Sequence, residues 1–222
     1  MPRPGATGSM PTRAALTREA VLDAAVALAD AEGLGALTMR ALGNRLGVQA
    51  MSLYHHVASK DAILDGIVDR VFSEIAEPDR DVDWRTSLTR RAQVQRDVLN
   101  RHPWALGLVE SRRSPGQTTL THHNAVIGVL RSAGFSIHDA AHAYALLDSY
   151  VYGFVLQENS LPFTPEDSAE VAEELMTGIR EVYPYLAEMT DEVVLQPGYD
   201  FGNEFDAGLS VIMDGLEVRR RS

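Results

Sequence analysis

Between Leu46 and Gln49 the chain has only Gly47 and Val48 in which to end one amphipathic helical segment and begin another. A turn that short needs a residue in the left-handed backbone region, which glycine enters without a Cβ clash, so the two segments must form a tight helical corner. Thr38 stands as N-cap of the first segment, which carries Met39, Leu42 and Leu46 on one face. Ala41 is small where the helices are expected to cross, and Val48 and Leu53 are placed to plug the core beneath. The second segment, Gln49 to His56, is then gripped by its inner face and free on its outer one. This is a helix-turn-helix pattern, and it fixes the fold class of the first part of the chain.

Around this corner the helical period continues in both directions. Residues 1–15 are punctuated by Pro2, Pro4, Gly5, Gly8 and Pro11 and read as a flexible arm. Thr17 caps a first helix with Val21, Ala24, Ala25, Leu28 and Ala31 at helical spacing, closed by Gly33. Ser59 caps a long fourth helix whose inward face is Ile63, Leu64, Ile67, Val68, Val71, Phe72 and Ile75. Beyond Trp84 no period-two alternation interrupts the pattern, and six further helices are expected over 84–101, 103–112, 117–133, 138–159, 165–183 and 200–220. The chain therefore reads as all-α, with a helix-turn-helix domain over 16–62 and a helical domain over 63–222.

Composition removes several function classes. There is no cysteine, so disulfides, thiolate metal sites and cysteine nucleophiles are excluded. No stretch approaches the roughly 20 apolar residues of a membrane span, and no signal-peptide core opens the chain; a cytoplasmic protein without a membrane partner is expected. The formal charge of −11 would oppose a polyanionic partner, but residues 1–60 hold six Lys or Arg against four acids, or +2, which leaves −13 on the remainder. A mildly basic head on an acidic body can turn one face toward phosphates while the body is repelled.

On the free face of the second helix lie Gln49, Ala50, Ser52, Tyr54 and His55, short or hydrogen-bonding side chains suited to base edges and phosphates, and Lys60 can reach flanking phosphates. Taken alone, the corner could equally be a hairpin inside a larger bundle. The wider pattern separates the two readings: Glu32-Gly33, Leu37-Thr38-Met39-Arg40-Ala41-Leu42, Leu46-Gly47-Val48, Ser52-Leu53-Tyr54-His55-His56-Val57 and Ser59-Lys60-Asp61-Ala62-Ile63-Leu64. Over residues 16–75 it resembles the TetR family of bacterial one-component regulators, and from Trp84 onward helix order and the His102-Pro103-Trp104 turn are similar to a tetracycline-repressor type of C-terminal domain. The resemblance implies that Thr38 and Lys60 contact phosphates, that Arg40, Gln49, Ala50, Met51 and Ser52 approach bases, and that Tyr54 and His55 touch the backbone. Met51 departs from the pattern; an apolar residue there reads a thymine methyl or nothing.

One recognition helix covers few base pairs, so a homodimer on a palindromic operator is expected, and the resemblance implies that it acts as a repressor. The apolar stripes chosen for its interface are Ala140, Ala143, Tyr144, Leu147, Val151 and Phe154 in one helix and Phe205, Leu209, Ile212 and Leu216 in the last, with Gly208 and Gly215 allowing close approach; the resemblance implies the same pair of helices. An unidentified small-molecule effector would meet polar residues that fall on apolar stripes: Gln95, His123 and Asp148, with Tyr144 and Trp104 as walls. No cofactor is implied. Two alternatives are a DNA-binding regulator without an effector, and a metal-dependent hydrolase built on His138 and His142, one helical turn apart with Asp139 beside them but with no assignable third ligand.

Overall fold

The computed structural model describes residues 16–109, 111 and 115–221; the arm expected over 1–15 lies outside them. Among the described residues every regular element is helical, and the chain divides into two compact units, one ending at Ile67 and the other beginning at Val68.

The first unit is built from α1 (Arg18–Glu32), a short 3-10 turn, α2 (Met39–Leu46), α3 (Ala50–Leu53) and the first two turns of α4 (Lys60–Phe72). Each expected cap is present: backbone N–H groups of Ala20, Ala41 and Ala62 donate to the hydroxyl oxygens of Thr17, Thr38 and Ser59 at 3.1 Å each. Every such cap satisfies an otherwise orphaned helix-terminal donor, and so marks a start that the sequence could specify locally. Val21, Leu22, Ala25 and Leu28 of α1 meet Leu37, Leu42, Leu53 and Val57 in a core closed by Ile63 and Ile67. The unit thus extends past residue 62, because α4 is still packed on α1 there: a Cβ on Gly66 would come within 2.6 Å of the Leu22 side chain.

The second unit contains the end of α4, α5 (Trp84–Arg101), α6 (Ala105–Val109), α7 (Gln117–Ser132), α8 (Ile137–Glu158), α9 (Ser168–Met176), α10 (Pro184–Met189) and α11 (Glu204–Arg220). α8 is the central helix, packed against α5, α7 and α11. Its N-terminus is fixed by Ser136, whose Oγ accepts from the Asp139 N–H at 3.0 Å. The helix expected over 165–183 is shorter than expected and is followed by one that periodicity did not show. α9 stops at Met176, Gly178 turns with φ +77°, and Pro184 starts α10 at a first-turn position where its missing N–H is harmless. α10 then loosens into a π-turn over Thr190–Val194.

Candidate nucleic-acid interface and internal polar site

The corner at Gly47 has the geometry its sequence demanded: φ +65°, ψ +33°, with its N–H capping the end of α2. Gly43 lets the two helices approach closely. A Cβ on Gly43 would lie 2.9 Å from the Val48 carbonyl oxygen and 3.1 Å from the Ala50 nitrogen, both immovable backbone atoms, and the Val48 N–H donates to the Gly43 carbonyl at 2.9 Å. Leu53, fully buried, pins α3 from beneath. The regular part of α3 is one turn, extended by hydrogen bonds from the His56 and Val57 N–H groups to the Leu53 carbonyl.

Of the nine residues chosen for nucleic-acid contact, Thr38, Arg40, Gln49, Met51, Tyr54, His55 and Lys60 are exposed, and Ala50 and Ser52 are half-buried. Met51 is 71% exposed, which is unusual for so apolar a side chain. Thr38 accepts the Ala41 N–H through its oxygen, which leaves its hydroxyl hydrogen able to donate outward. The positive charge is local rather than unit-wide. Over 16–67 four cations face six acids, and the +2 counted over 1–60 depends on Arg3 and Arg13, outside the described residues. Residues 38–60, however, hold Arg40, Arg45 and Lys60 and no acid at all, so the helix-turn-helix segment itself is basic.

The apolar stripes assigned to a dimer interface are in large part the core of a single chain. Leu147, Val151, Phe154, Phe205, Leu209 and Leu216 are all buried, and Ile212 is half-buried. They fill the contact between α8 and α11: the rings of Phe154 and Phe205 lie 5.1 Å apart, and the Tyr150 hydroxyl donates to the Phe205 carbonyl at 2.8 Å. Gly208 serves that same contact, since a Cβ there would collide with the Tyr150 hydroxyl at 2.3 Å. Periodicity picked the most apolar stripe on each helix, and the most apolar stripe belongs inside.

The expected effector residues are brought partly together. The His123 ring lies 5.1 Å from that of Tyr144 and 6.2 Å from that of Phe72; Asp148, one turn along α8 from Tyr144, is buried and accepts from Arg91 at 3.1 Å; Gln95 is fully buried on α5. The Trp104 ring lies 6.0 Å from that of His102. The sequence reading missed Ser87, Arg91 and His122, all buried. In the sequence Arg90-Arg91 looks like a solvated pair, yet Ser87, Arg91 and Gln95 fall at four-residue steps and share one face of α5. Burial, reinforced by the positive charge of Arg91, holds the His122 imidazole below its ordinary range. Burial also lowers His123, where the Asp148 carboxylate opposes and Arg91 adds to the effect. Six buried polar atoms in this unit have no hydrogen-bond partner among the described residues: Ser87 Oγ, Arg91 Nε and Nη2, both amide atoms of Gln95, and His122 Nδ1. Each such atom costs about 1–3 kcal/mol when left unmet.

His138 and His142 are exposed, and Asp139 is taken by the α8 cap and by Arg219 at 3.2 Å, so the hydrolase arrangement has neither burial nor an available carboxylate. Among the described residues no group of three or more His, Asp or Glu is placed to hold a metal, and no helix is long and apolar enough to cross a membrane.

Residues 21–67 match the family model of bacterial regulatory proteins of the tetR family, and residues 77–220 match that of the tetracyclin repressor-like C-terminal domain. The chain is 33% identical to the HTH-type transcriptional repressor DrrR1 of Streptomyces coeruleorubidus, over 96% of this chain and 82% of that one. It is 30% identical to the tetracycline repressor protein class C of Escherichia coli, over 92% of each. The crystal structure of ActR from Streptomyces coelicolor in complex with actinorhodin superposes with a TM-score of 0.76 at 26% identity, covering 94% of this chain and 100% of that one.

Proposed function

The chain belongs to the TetR family of bacterial transcriptional regulators, and from that premise we propose that it is a homodimeric repressor that holds a palindromic operator and is released by a small molecule bound in its C-terminal unit. It is a regulator of the repressor type with a helix-turn-helix DNA-binding domain, and not an enzyme.

The observation that carries the DNA half is the exposed, acid-free face of α2 and α3, pinned by Leu53 and Gly43. Arg40, Gln49 and Met51 are offered to base edges, while Thr38, Tyr54, His55 and Lys60 reach phosphates. Two copies are needed to span half-sites roughly 34–36 Å apart. Since the apolar stripes are spent inside one chain, the copies would meet through the outward faces of α8 and α11. On α8, Ala141, Ala145, Ser149 and Gly153 are exposed at four-residue steps beside Leu146 and Leu156; on α11, Val211, Gly215 and Val218 are exposed, and a Cβ on Gly215 would meet nothing within 4 Å. Small side chains in register let helices approach closely, and the flanking Leu and Val supply apolar area.

The effector half rests on the polar set around Arg91 and Gln95 and on the aromatic rings beside it, and relatives support it: ActR and the tetracycline repressors are named for or solved with small molecules. Phe72, at the end of α4, is in ring contact with His122 and His123 at 6.2 Å, so a ligand that shifts these imidazoles acts on the helix whose first turns belong to the DNA-binding unit. Linkage then requires operator DNA to weaken effector binding by the same factor as effector weakens operator binding.

Selection of bound duplexes from a random library tests the reading. A palindromic site that is lost with Arg40→Ala, Lys60→Ala establishes the dimeric reader; no enrichment at low salt overturns it.

A further inference from the structure

The unmet polar atoms of the second unit have a shape. Arg91 donates through Nη1 to Asp148 Oδ1 at 3.1 Å, with the two side chains 2% and 10% exposed. Its remaining atoms, Nε and Nη2, lie on one edge of the planar guanidinium, and their N–H bonds point the same way. That edge is a two-donor fork, and it has no partner among the described residues. Asp148 occupies the third nitrogen, Nη1. One turn further along α5, the Gln95 amide offers both a donor and an acceptor from a fully buried position; one turn back, the Ser87 hydroxyl does the same.

A single carbonyl satisfies one arm of such a fork, whereas the two coplanar oxygens of a carboxylate satisfy both in parallel, with charge assistance. Burial holds the neighbouring imidazoles below their ordinary range, which favours their neutral form, whereas the Arg91 guanidinium keeps its charge. The His123 ring lies 5.1 Å from that of Tyr144 and 6.2 Å from that of Phe72, and it feels the charges of both Asp148 and Arg91. We propose that the effector of this protein carries a carboxylate on an aromatic body, and that the carboxylate docks edge-on against Nε and Nη2 of Arg91 while Gln95 meets a second polar group of the ligand. The proposal rests on the reading of this unit as the effector domain and adds the ligand's chemical class and the residue that selects it.

The test uses the full-length protein and three matched pairs: benzoate, 2-naphthoate and anthraquinone-2-carboxylate, each against its neutral primary amide, titrated by calorimetry. In the parent protein at least one acid is expected to bind about tenfold or more tighter than its amide. Removing Arg91 alone would strand Asp148 as a buried charge, so the variant is Arg91→Met with Asp148→Leu, which replaces the pair by apolar side chains of similar bulk and keeps the fold. Its circular dichroism and melting are expected to stay near those of the parent, while the acid preference shrinks to within about twofold or reverses. Arg91→Lys keeps the charge, loses the fork, and is expected to weaken the acid several-fold and the amide little. Equal affinity for acid and amide in the parent, a preference that survives in the double variant, or binding by none of the six compounds would each overturn the proposal. The effector reading itself falls only if a release screen that includes neutral compounds finds nothing that frees the operator.

Discussion

At the scale of single residues, the two sites depend on atoms that a composition-based reading passes over. Gly43 is an ordinary-looking glycine within a short helix, where glycine is a poor helix former. Its value is tertiary: 2.9 Å separates an added Cβ from the Val48 carbonyl. Gly43→Ala is therefore expected to lower stability by about 1–3 kcal/mol, despite alanine's better helix propensity, as overpacking against backbone cannot relax cheaply. Urea denaturation of the two proteins measures it, and a variant as stable as the parent would remove Gly43 from the corner. His122 and His123 give a second expectation. Both have folded-state values below the ordinary 6.5, so the unfolded chain binds more protons, and stability must be lost as pH falls through 6.5 toward the depressed folded values. Denaturation at pH 7.5 and 5.5 should show that loss, and His122→Gln with His123→Gln should flatten the difference; an unchanged pH dependence would contradict the burial described here.

At the scale of elements, local signals and tertiary ones divided the work. Helices that begin with their own Thr or Ser cap, such as α1, α2 and α4, were legible from sequence almost to the residue, because the cap and the helix are adjacent in the chain. α7 is different. Gly116, at its cap position, has no side chain to offer, and the donors are met from another helix: Asp69 of α4 accepts from the N–H groups of Thr118 at 3.2 Å and Thr119 at 2.9 Å and from the Thr119 hydroxyl at 3.1 Å. Gly116 is required by this arrangement, for a Cβ would lie 2.3 Å from the Asp69 carboxyl carbon. Asp69→Ala is expected to destabilise the protein by about 1–2 kcal/mol, with Asp69→Asn recovering part of it, as read by thermal and urea unfolding. Equal stability of Asp69→Ala and the parent would show that the cap is dispensable. The α9 to α10 region failed to read from sequence for a related reason: short helices joined by Gly178 and Pro184 carry too few turns for periodicity to separate them from one longer helix.

At the scale of the whole molecule, the proposed repression requires two copies on one operator. Gly153→Arg with Val211→Asp places charge on the outward faces of α8 and α11 without touching the chain's own core. Such a variant is expected to sediment as a folded monomer and to lose operator affinity by at least tenfold, while its circular dichroism stays unchanged. A dimer of parental strength would move the interface elsewhere. Lys60→Ala should weaken operator binding nearly equally for all sequences and lessen the slope of log affinity against log salt by about one unit, whereas Met51→Ala should alter preference at a single base position. What the sequence by itself determined were features encoded by neighbours along the chain: the caps, the Gly47 corner, the all-α character, and the family pattern over 16–75. Only the tertiary structure decided which apolar stripe was core and which face was left open, that Gly43 and Gly116 make room for other segments, and that Ser87, Arg91, Gln95, His122 and Asp148 are buried. The physical reason is that hydrophobic period reports that a face is buried without naming what buries it, and a buried polar group is recognisable only once its surroundings, and the partners it lacks, are fixed in space.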